Sequence, residues 1–241
     1  MLQPLFDNHL SFMKTHRGDV IETTDSIILS GEAPGFTAWV PKHNKAVLPV
    51  DSAAVRLLPW SGDDWPGCLK ALEYKRAEAF SYMELLDLKK TREQCVSSNY
   101  KIVVAENKTG ADTFSKVQSA GFLNDVDPGS TWWRSCFRSM ARCNIARTDQ
   151  SFYIAYFKDI PAAVMLVVRT VGVTGIYAVT TKPEFRNQGL CGALLNYMHQ
   201  DDRNAKANRF ILQATVDSYA ESFYERFGFV TRFQSQVWRR P

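Results

Sequence analysis

The sequence lacks the features that mark several classes of protein. Its five cysteines are scattered, with no Cys-x-x-Cys pair and no histidine at ligand spacing beside them, so we expect neither a disulfide scaffold nor a zinc site. No run of about 18 apolar residues occurs, and no basic region followed by an apolar run opens the chain. Lysine and arginine form no block of the kind that follows a nucleic-acid backbone. These absences predict a cytoplasmic protein without a metal, a membrane span or a nucleic-acid partner.

The composition is that of an ordinary globular protein. The chain has 241 residues, of which 45% are hydrophobic, enough for one large domain or two small ones. The net charge of +4 is unevenly spread. Residues 1–97 hold 11 Lys and Arg against 13 Asp and Glu, a balance of −2, and residues 98–241 hold 18 against 12, a balance of +6. The positive second half suits an anionic ligand or cofactor.

Apolar spacing divides the chain into two halves. In the first half we predict a helix at 5–16, short strands at 27–29, 36–40, 46–50 and 55–58, a helix from about Pro66, and a strand from about 77 to 86. The polar run at 88–94 then breaks the pattern. We therefore place a domain boundary after residue 97, which gives an accessory or degenerate α/β half at 1–97 and a second domain at 98–241.

In the second half the predicted order is β-α-α-β-β-β-α-β-α-β. The strands are placed at 100–105, 151–157, 161–168, 175–181, 210–214 and 229–238, and the helices at 112–120, 130–143, 190 to about 205, and 219–227. Gly121 and Gly228 are expected to close two of these helices, and Lys158-Asp159 to form a hairpin turn.

The junction after the strand Gly175–Thr181 has the order that aims backbone N–H groups at an anion. A turn containing Pro183 follows the strand, then a short stretch with Gly189 and Gly192 opens an apolar helix. Taken alone, this glycine turn is compatible with several phosphate ligands.

Two motifs narrow that choice. Arg186-Asn-Gln-Gly189-Leu-Cys191-Gly192 resembles the acyl-CoA signature Gln/Arg-x-x-Gly-x-Gly/Ala of the GNAT superfamily of N-acetyltransferases. The stretch from Asp217 to Phe229 resembles the second signature of that superfamily, Asn-x-x-Ala-x-x-Leu-Tyr-x-x-x-Gly-Phe. The resemblance covers roughly residues 98–241. The sequence is also similar to a subset of the superfamily in which the N-terminal half is a second, degenerate GNAT-like half. Residues 1–97 contain no Arg-x-x-Gly-x-Gly motif.

The resemblance implies a fold, a co-substrate and a set of site residues. The fold would be α/β, with a mixed, mostly antiparallel central sheet flanked by helices. The co-substrate would be acetyl-CoA, with no metal required. Its binding site would be formed by Val179, Thr180, Thr181, Arg186, Asn187, Gln188, Gly189, Leu190, Cys191, Gly192, Asp217 and Ala220.

The same resemblance assigns catalytic roles. Tyr224 would be the acid that protonates the departing thiolate, and backbone N–H groups near Val179 would stabilise the oxyanion. No Asp, Glu or His lies on the central strand, so the base would be a water held by backbone carbonyls, with Tyr177 as a possible helper. No His or Asp stands beside Cys191 in sequence, so an acyl-carrying role for its thiol is not expected.

The expected function is transfer of an acetyl or small acyl group from acyl-CoA to an amine on a small molecule or peptide. The alternative is a non-catalytic acyl-CoA-binding or partner-binding module on the same fold. Two departures from the signatures motivate that alternative, because Cys191 stands where Gly or Ala is preferred and Asp217 replaces the usual Asn.

Overall fold

The computed structural model describes residues 2–16, 18–31, 37–86, 100–123, 129–201, 204 and 209–241. They form two compact units. The first draws its described residues from Met1–Glu84, Gln213–Glu225 and Val230–Pro241, and the second from Leu85–Leu212 and Arg226–Phe229. The boundary predicted after residue 97 lies outside the described residues, so the division into 1–97 and 98–241 stays a prediction.

The described residues contain six α-helices and eleven strands. The helices are α1 (Gln3–His16), α2 (Trp65–Ala71), α3 (Lys108–Phe122), α4 (Ser130–Asn144), α5 (Leu190–Gln200) and α6 (Tyr219–Arg226). The strands are β1 (Asp19–Glu22), β2 (Ser26–Ser30), β3 (Ala38–Pro41), β4 (Ala54–Leu57), β5 (Lys75–Leu85), β6 (Tyr100–Ala105), β7 (Gln150–Phe157), β8 (Ile160–Thr170), β9 (Val173–Thr181), β10 (Arg209–Thr215) and β11 (Phe229–Arg239).

The first unit is built on strands in the order β1-β2-β3-β4-β11-β5. β1, β2 and β3 pair antiparallel, β3 and β4 pair in parallel, and β11 pairs antiparallel with β4. The last residues of β10, 213–215, also belong to this unit. A strand from the C-terminal part of the chain is therefore the neighbour of β4.

Large apolar side chains fill the core of the first unit. Trp39 and Val55 share one buried cluster with Trp238 of β11. On α1, Phe6 contacts Tyr82, and Tyr82 stacks on Phe233 of β11 with 4.3 Å between ring centroids. Because aromatic residues bury the largest areas, β11 contributes much of the packing in this unit.

The second unit has strands in the order β10-β9-β8-β7-β6, with residues 209–212 as the β10 part. β6 through β9 pair antiparallel, and β9 pairs in parallel with β10. The hairpin between β7 and β8 turns at Lys158 and Asp159, whose φ angles of 47° and 64° suit a tight two-residue turn. This turn confirms the prediction from the sequence.

Helices cover both faces of the sheet in the second unit. Phe152 of β7 contacts Phe114 of α3, and the next residue, Tyr153, contacts Tyr197 of α5. Successive strand residues point to opposite faces, so α3 and α5 lie on opposite sides. The order of elements predicted from residue 98 onward is confirmed, and so is the mixed, mostly antiparallel α/β class.

Four details differ from the sequence-based prediction. Residues 46–50 are not a strand, because the chain there is irregular and exposes Val47 and Val50 almost fully. A strand that was not predicted, β1, pairs with β2. α3 begins at Lys108, where the Asn107 side chain accepts from the Gly110 N–H, and it continues past Gly121 to Phe122.

The fourth difference is the end of α5, which lies at Gln200 and not near residue 205. Asp201 has an extended backbone, and its carboxylate accepts a hydrogen bond of 2.7 Å from the Tyr153 hydroxyl. Asn204 donates to the same hydroxyl and to the Met198 carbonyl. These bonds favour a chain that leaves the helix after Gln200.

Candidate functional site

A β-bulge interrupts β9 near its end. Tyr177 opposes Leu166 of β8 and Thr180 opposes Val164, so two residues of β9, Ala178 and Val179, face one residue of β8. Ala178 has a φ of 50°, which is rare for a residue with a side chain. A bulge leaves backbone groups out of the ladder and is common beside active sites.

The two edges of β9 differ in how far they are paired. The described pairing with β10 covers Val173–Ile176, whereas β9 itself runs to Thr181. Pairing with β8 continues to Thr181. The last residues of β9 therefore extend past the described pairing with β10, and an extended ligand could use main-chain groups on that side.

The turn after β9 has the geometry of an anion site. A short 3₁₀ segment, Pro183–Phe185, leads into Asn187 and Gly189, whose φ angles of 61° and 75° are left-handed. The first described backbone bond of α5 runs from the Ala193 N–H to the Gly189 carbonyl, at 3.0 Å. The N–H groups of residues 190–192 come before that bond, at the positive end of the helix dipole.

Arg186 connects this turn to two other elements of the second unit. Its Nε donates to the Thr181 carbonyl at 3.3 Å, and its Nη2 donates to the Gly121 carbonyl at the end of α3, at 3.2 Å. The structure thus brings the end of β9 and the turn together. The part that α3 takes was not predicted, because Gly121 has the sequence pattern of an ordinary helix stop.

The first turn of α5 is tightly packed. A Cβ atom built on Gly192 would lie 3.0 Å from the Phe227 ring, so this position favours glycine. Burial raises the pKa of the neighbouring Cys191 thiol to about 12. The thiol is therefore protonated at neutral pH, which agrees with the expectation that it carries no acyl group.

The second signature forms the start of α6. The Ser218 hydroxyl accepts from the Glu221 N–H at 3.2 Å, and the Glu221 carboxylate accepts from the Asp217 N–H at 2.7 Å. The helix cap is therefore Ser218, whereas Asp217, which could have served as the cap, precedes it with a left-handed φ of 58°. Ala220 lies in the first turn and is exposed.

Both predicted catalytic tyrosines are buried. Tyr177 is 7% exposed and stands just before the bulge in β9. Tyr224 is 9% exposed on α6, where its ring contacts Phe223 at 5.4 Å between centroids. Tyr177 belongs to the second unit, and Tyr224, Asp217 and Ala220 belong to the first. The part that these three residues play with the turn stays a prediction.

Two further properties concern ligands and membranes. Within the described residues, no group of three or more His, Cys, Asp and Glu side chains could hold a metal ion. Over the same part of the chain, no helix combines the length and the apolar character that crossing a bilayer requires.

A mixed, mostly antiparallel sheet between helices, with a strand that runs into a glycine turn at the start of a helix, is the arrangement that the sequence motifs predict for a GNAT acyltransferase. The family described as acetyltransferase (GNAT) domain matches residues 111–239, which is more than half of the chain. The chain therefore belongs to the GNAT acetyltransferase family. A search of curated proteins finds no match.

Solved structures share the fold over most of the chain. A functionally unknown conserved protein from Staphylococcus epidermidis is 14% identical, with a TM-score of 0.67 over 96% of this chain and 97% of that one. A GCN5-related N-acetyltransferase from Kribbella flavida is 12% identical, with a TM-score of 0.64 over 98% and 95%.

A third structure bears on the two-half architecture. It is a tandem GNAT protein from the clavulanic acid biosynthesis pathway, 13% identical, with a TM-score of 0.57 over 91% of this chain and 80% of that one. At such identities the likeness concerns the fold alone. It fits the prediction of two GNAT-like halves.

Proposed function

We propose that this chain transfers an acetyl or other small acyl group from acyl-CoA to an amine acceptor, a small molecule or a peptide. The observation that carries the proposal is the junction of β9 and α5. There, the bulged end of β9 is followed by Asn187 and Gly189, which have left-handed backbones. The first turn of α5 comes next, with the N–H groups of residues 190–192 ahead of the first helical hydrogen bond. Membership of the GNAT family supports acyl transfer as the reaction class.

The turn is suited to the pyrophosphate of acyl-CoA. The N–H groups from Gln188 to Gly192 would donate to the phosphate oxygens, and the helix dipole adds roughly 0.3–1 kcal/mol at an exposed site. Gly189 allows the ligand to approach the backbone closely. Arg186 adds a permanent positive charge beside the turn.

The end of β9 is suited to the pantetheine arm. This arm is extended and rich in amides, so it can hydrogen-bond to a strand as an added peptide does. Val179, Thr180 and Thr181 lie beyond the described pairing with β10. The thioester would then lie near the bulge at Ala178 and Val179.

In the proposed reaction the neutral amine attacks the thioester carbonyl carbon, a C–N bond forms, and the C–S bond breaks. N–H groups near Val179 would stabilise the oxyanion. Tyr224 would give its proton to the departing sulfur, since a phenol, with an ordinary pKa of about 10, is protonated at neutral pH. The proton lost by the amine would pass to a bound water, with Tyr177 as a helper.

The first test is binding of acetyl-CoA and CoA by calorimetric titration. We expect saturable binding to both, weakened at least about tenfold by Gly189→Asp, which crowds the turn and adds a negative charge. Gly172→Asp is the matched control, because Gly172 has a similar φ of 71° in the turn before β9, away from Thr181. Absence of binding to the unaltered protein would rule out both the enzyme and the acyl-CoA-binding module.

The second test separates the enzyme from the module. A panel of amines is screened with acetyl-CoA, using release of the free thiol as the readout. We expect turnover with at least one amine, and we expect Tyr224→Phe to lower kcat with little change in the affinity for acetyl-CoA. Binding without thiol release across the panel would favour the module, and an unchanged kcat would remove Tyr224 from the acid role.

A further inference from the structure

We infer that Gly121, at the end of α3, is a positioning residue for the acyl-CoA site. The inference rests on the proposed function, because it concerns the β9 segment assigned to the pantetheine arm. Gly121 lies inside α3 and does not have a left-handed backbone, so it is not a helix-ending glycine. Glycine inside a helix costs about 1 kcal/mol relative to alanine, so the position needs another reason for it.

The packing of α3 against β9 supplies that reason. A Cβ atom built on Gly121 would lie 2.1 Å from Oγ1, 2.9 Å from Cγ2 and 3.0 Å from Cβ of Thr180. Thr180 is buried, and its β-branched side chain has few alternative rotamers that would avoid an added Cβ atom. The last turn of α3 therefore rests directly on the side chain of Thr180.

Arg186, in the turn before α5, also links the end of α3 to the end of β9. Its guanidinium donates to the Gly121 carbonyl of α3 and to the Thr181 carbonyl of β9. A cation at the C-terminal end of a helix is favourable, because the last carbonyls there carry partial negative charge. The two hydrogen bonds of Arg186 thus connect the end of α3, the end of β9 and the turn before α5.

A side chain at position 121 would disturb this arrangement. Either α3 lifts away or Thr180 shifts, and a shift of Thr180 displaces the main chain of Val179 and Thr181. Displaced backbone groups no longer match the bound geometry of a ligand, and this loss of preorganisation costs affinity. Gly121 would therefore control acyl-CoA binding without touching the ligand.

The main test compares Gly121→Ala with Gly67→Ala. Gly67 lies in α2, where an added Cβ meets nothing within 4 Å. We expect Gly121→Ala to raise the Kd for acetyl-CoA about tenfold and Gly67→Ala to leave it unchanged. The two variants should also shift the midpoint of urea unfolding in opposite directions, because alanine favours a helix where it has room.

A rescue variant links the effect to Thr180. Thr180→Ala removes Oγ1 and Cγ2, so only the 3.0 Å contact to Cβ remains. We expect the double variant Gly121→Ala/Thr180→Ala to bind acetyl-CoA more tightly than Gly121→Ala alone. If Gly121→Ala binds as the unaltered protein does, or if the double variant shows no recovery, the inference is overturned. If the unaltered protein does not bind acetyl-CoA, the proposed function is overturned instead.

Arg186 provides a second test should Gly121→Ala fail to fold. Lysine keeps the positive charge. Its single ammonium group, however, cannot replace the planar guanidinium group of arginine, which donates to the Thr181 and Gly121 carbonyls at once. We expect Arg186→Lys to weaken acetyl-CoA binding although it keeps the charge, and Arg186→Gln, which loses both the charge and the fork, to weaken it further. If Arg186→Lys keeps full affinity while Arg186→Gln loses it, Arg186 acts only through its charge and the positioning role is wrong.

Discussion

At the scale of single residues, Cys191 shows two opposing effects on a thiol. The start of a helix favours the thiolate, because the dipole presents its positive end there. Burial disfavours the thiolate, because the charged form loses its hydration. Burial raises the pKa of the Cys191 thiol to about 12. A protonated thiol is a weak nucleophile, and direct transfer to the amine needs no acyl-cysteine.

This predicts a difference in labelling among the cysteines. Treated with iodoacetamide at pH 7.5, Cys191 should react at least about tenfold more slowly than the exposed Cys68 and Cys143, because its thiolate fraction is negligible and it is partly buried. Peptide mass spectrometry measures the three rates. Incubation with acetyl-CoA in the absence of an amine should leave no acetyl group on Cys191. Equal labelling rates, or an acetylated Cys191, would contradict this interpretation.

Two glycines of the second unit have different structural reasons for being glycine. Gly189 was recognised in the sequence because a known motif places it in a turn, and its φ of 75° agrees. The sequence predicts that Gly121 ends α3, but Gly121 lies inside that helix and is needed for its contact with Thr180. Nothing local distinguishes the two cases, because the partner of Gly121 lies 59 positions further along the chain.

At the scale of elements, α6 depends on a cap that its own sequence encodes. Ser218 and Glu221 have the spacing of a capping box, and both side chains are hydrogen-bonded at the helix start. Glu221 also accepts from the Thr231 hydroxyl on β11. The resemblance to the family signature points to Asp217, whereas the residue that caps the helix is Ser218.

Removing the cap should destabilise the protein measurably. We expect Ser218→Ala to lower the free energy of unfolding by about 1 kcal/mol, because the Glu221 N–H loses its acceptor. Ser222→Ala is the control, since Ser222 is an exposed residue of the same helix. Urea unfolding of both variants provides the comparison. Equal stability of the two variants would mean that the Ser218 hydrogen bond contributes nothing.

The order of elements was largely predictable, because helices and strands differ in apolar period. The bulge in β9 was not, since Ala178 carries no signal for a left-handed backbone. The segment 46–50, predicted as a strand, has apolar residues at strand spacing. Ala46 is buried and Leu48 packs against the same core cluster, but Val47 and Val50 are exposed and the backbone is irregular. The spacing of apolar residues in the sequence shows which side chains could be buried. The packing of the folded chain determines which of them are buried.

At the scale of the whole molecule, the first unit joins segments from distant parts of the chain. β11 pairs with β4 from Gln236 opposite Leu57 to Arg239 opposite Ala54. Trp238 is 4% exposed in a cluster with Trp39 and Val55. The sequence suggests two consecutive halves because the polar run at 88–94 interrupts the apolar pattern, and such an interruption carries no information about which strands pair.

This architecture predicts that residues 98–241 are not stable alone. Without residues 1–97 the fragment would lack β4, and Phe233, Val237 and Trp238 would lose their packing, each worth roughly 1.5–3 kcal/mol when fully buried. We expect the fragment to aggregate in size-exclusion chromatography. Co-expression with residues 1–97 as a separate chain should restore a soluble complex that binds acetyl-CoA like the intact protein. A monomeric fragment that unfolds cooperatively and keeps full affinity would show instead that 98–241 is an independent domain.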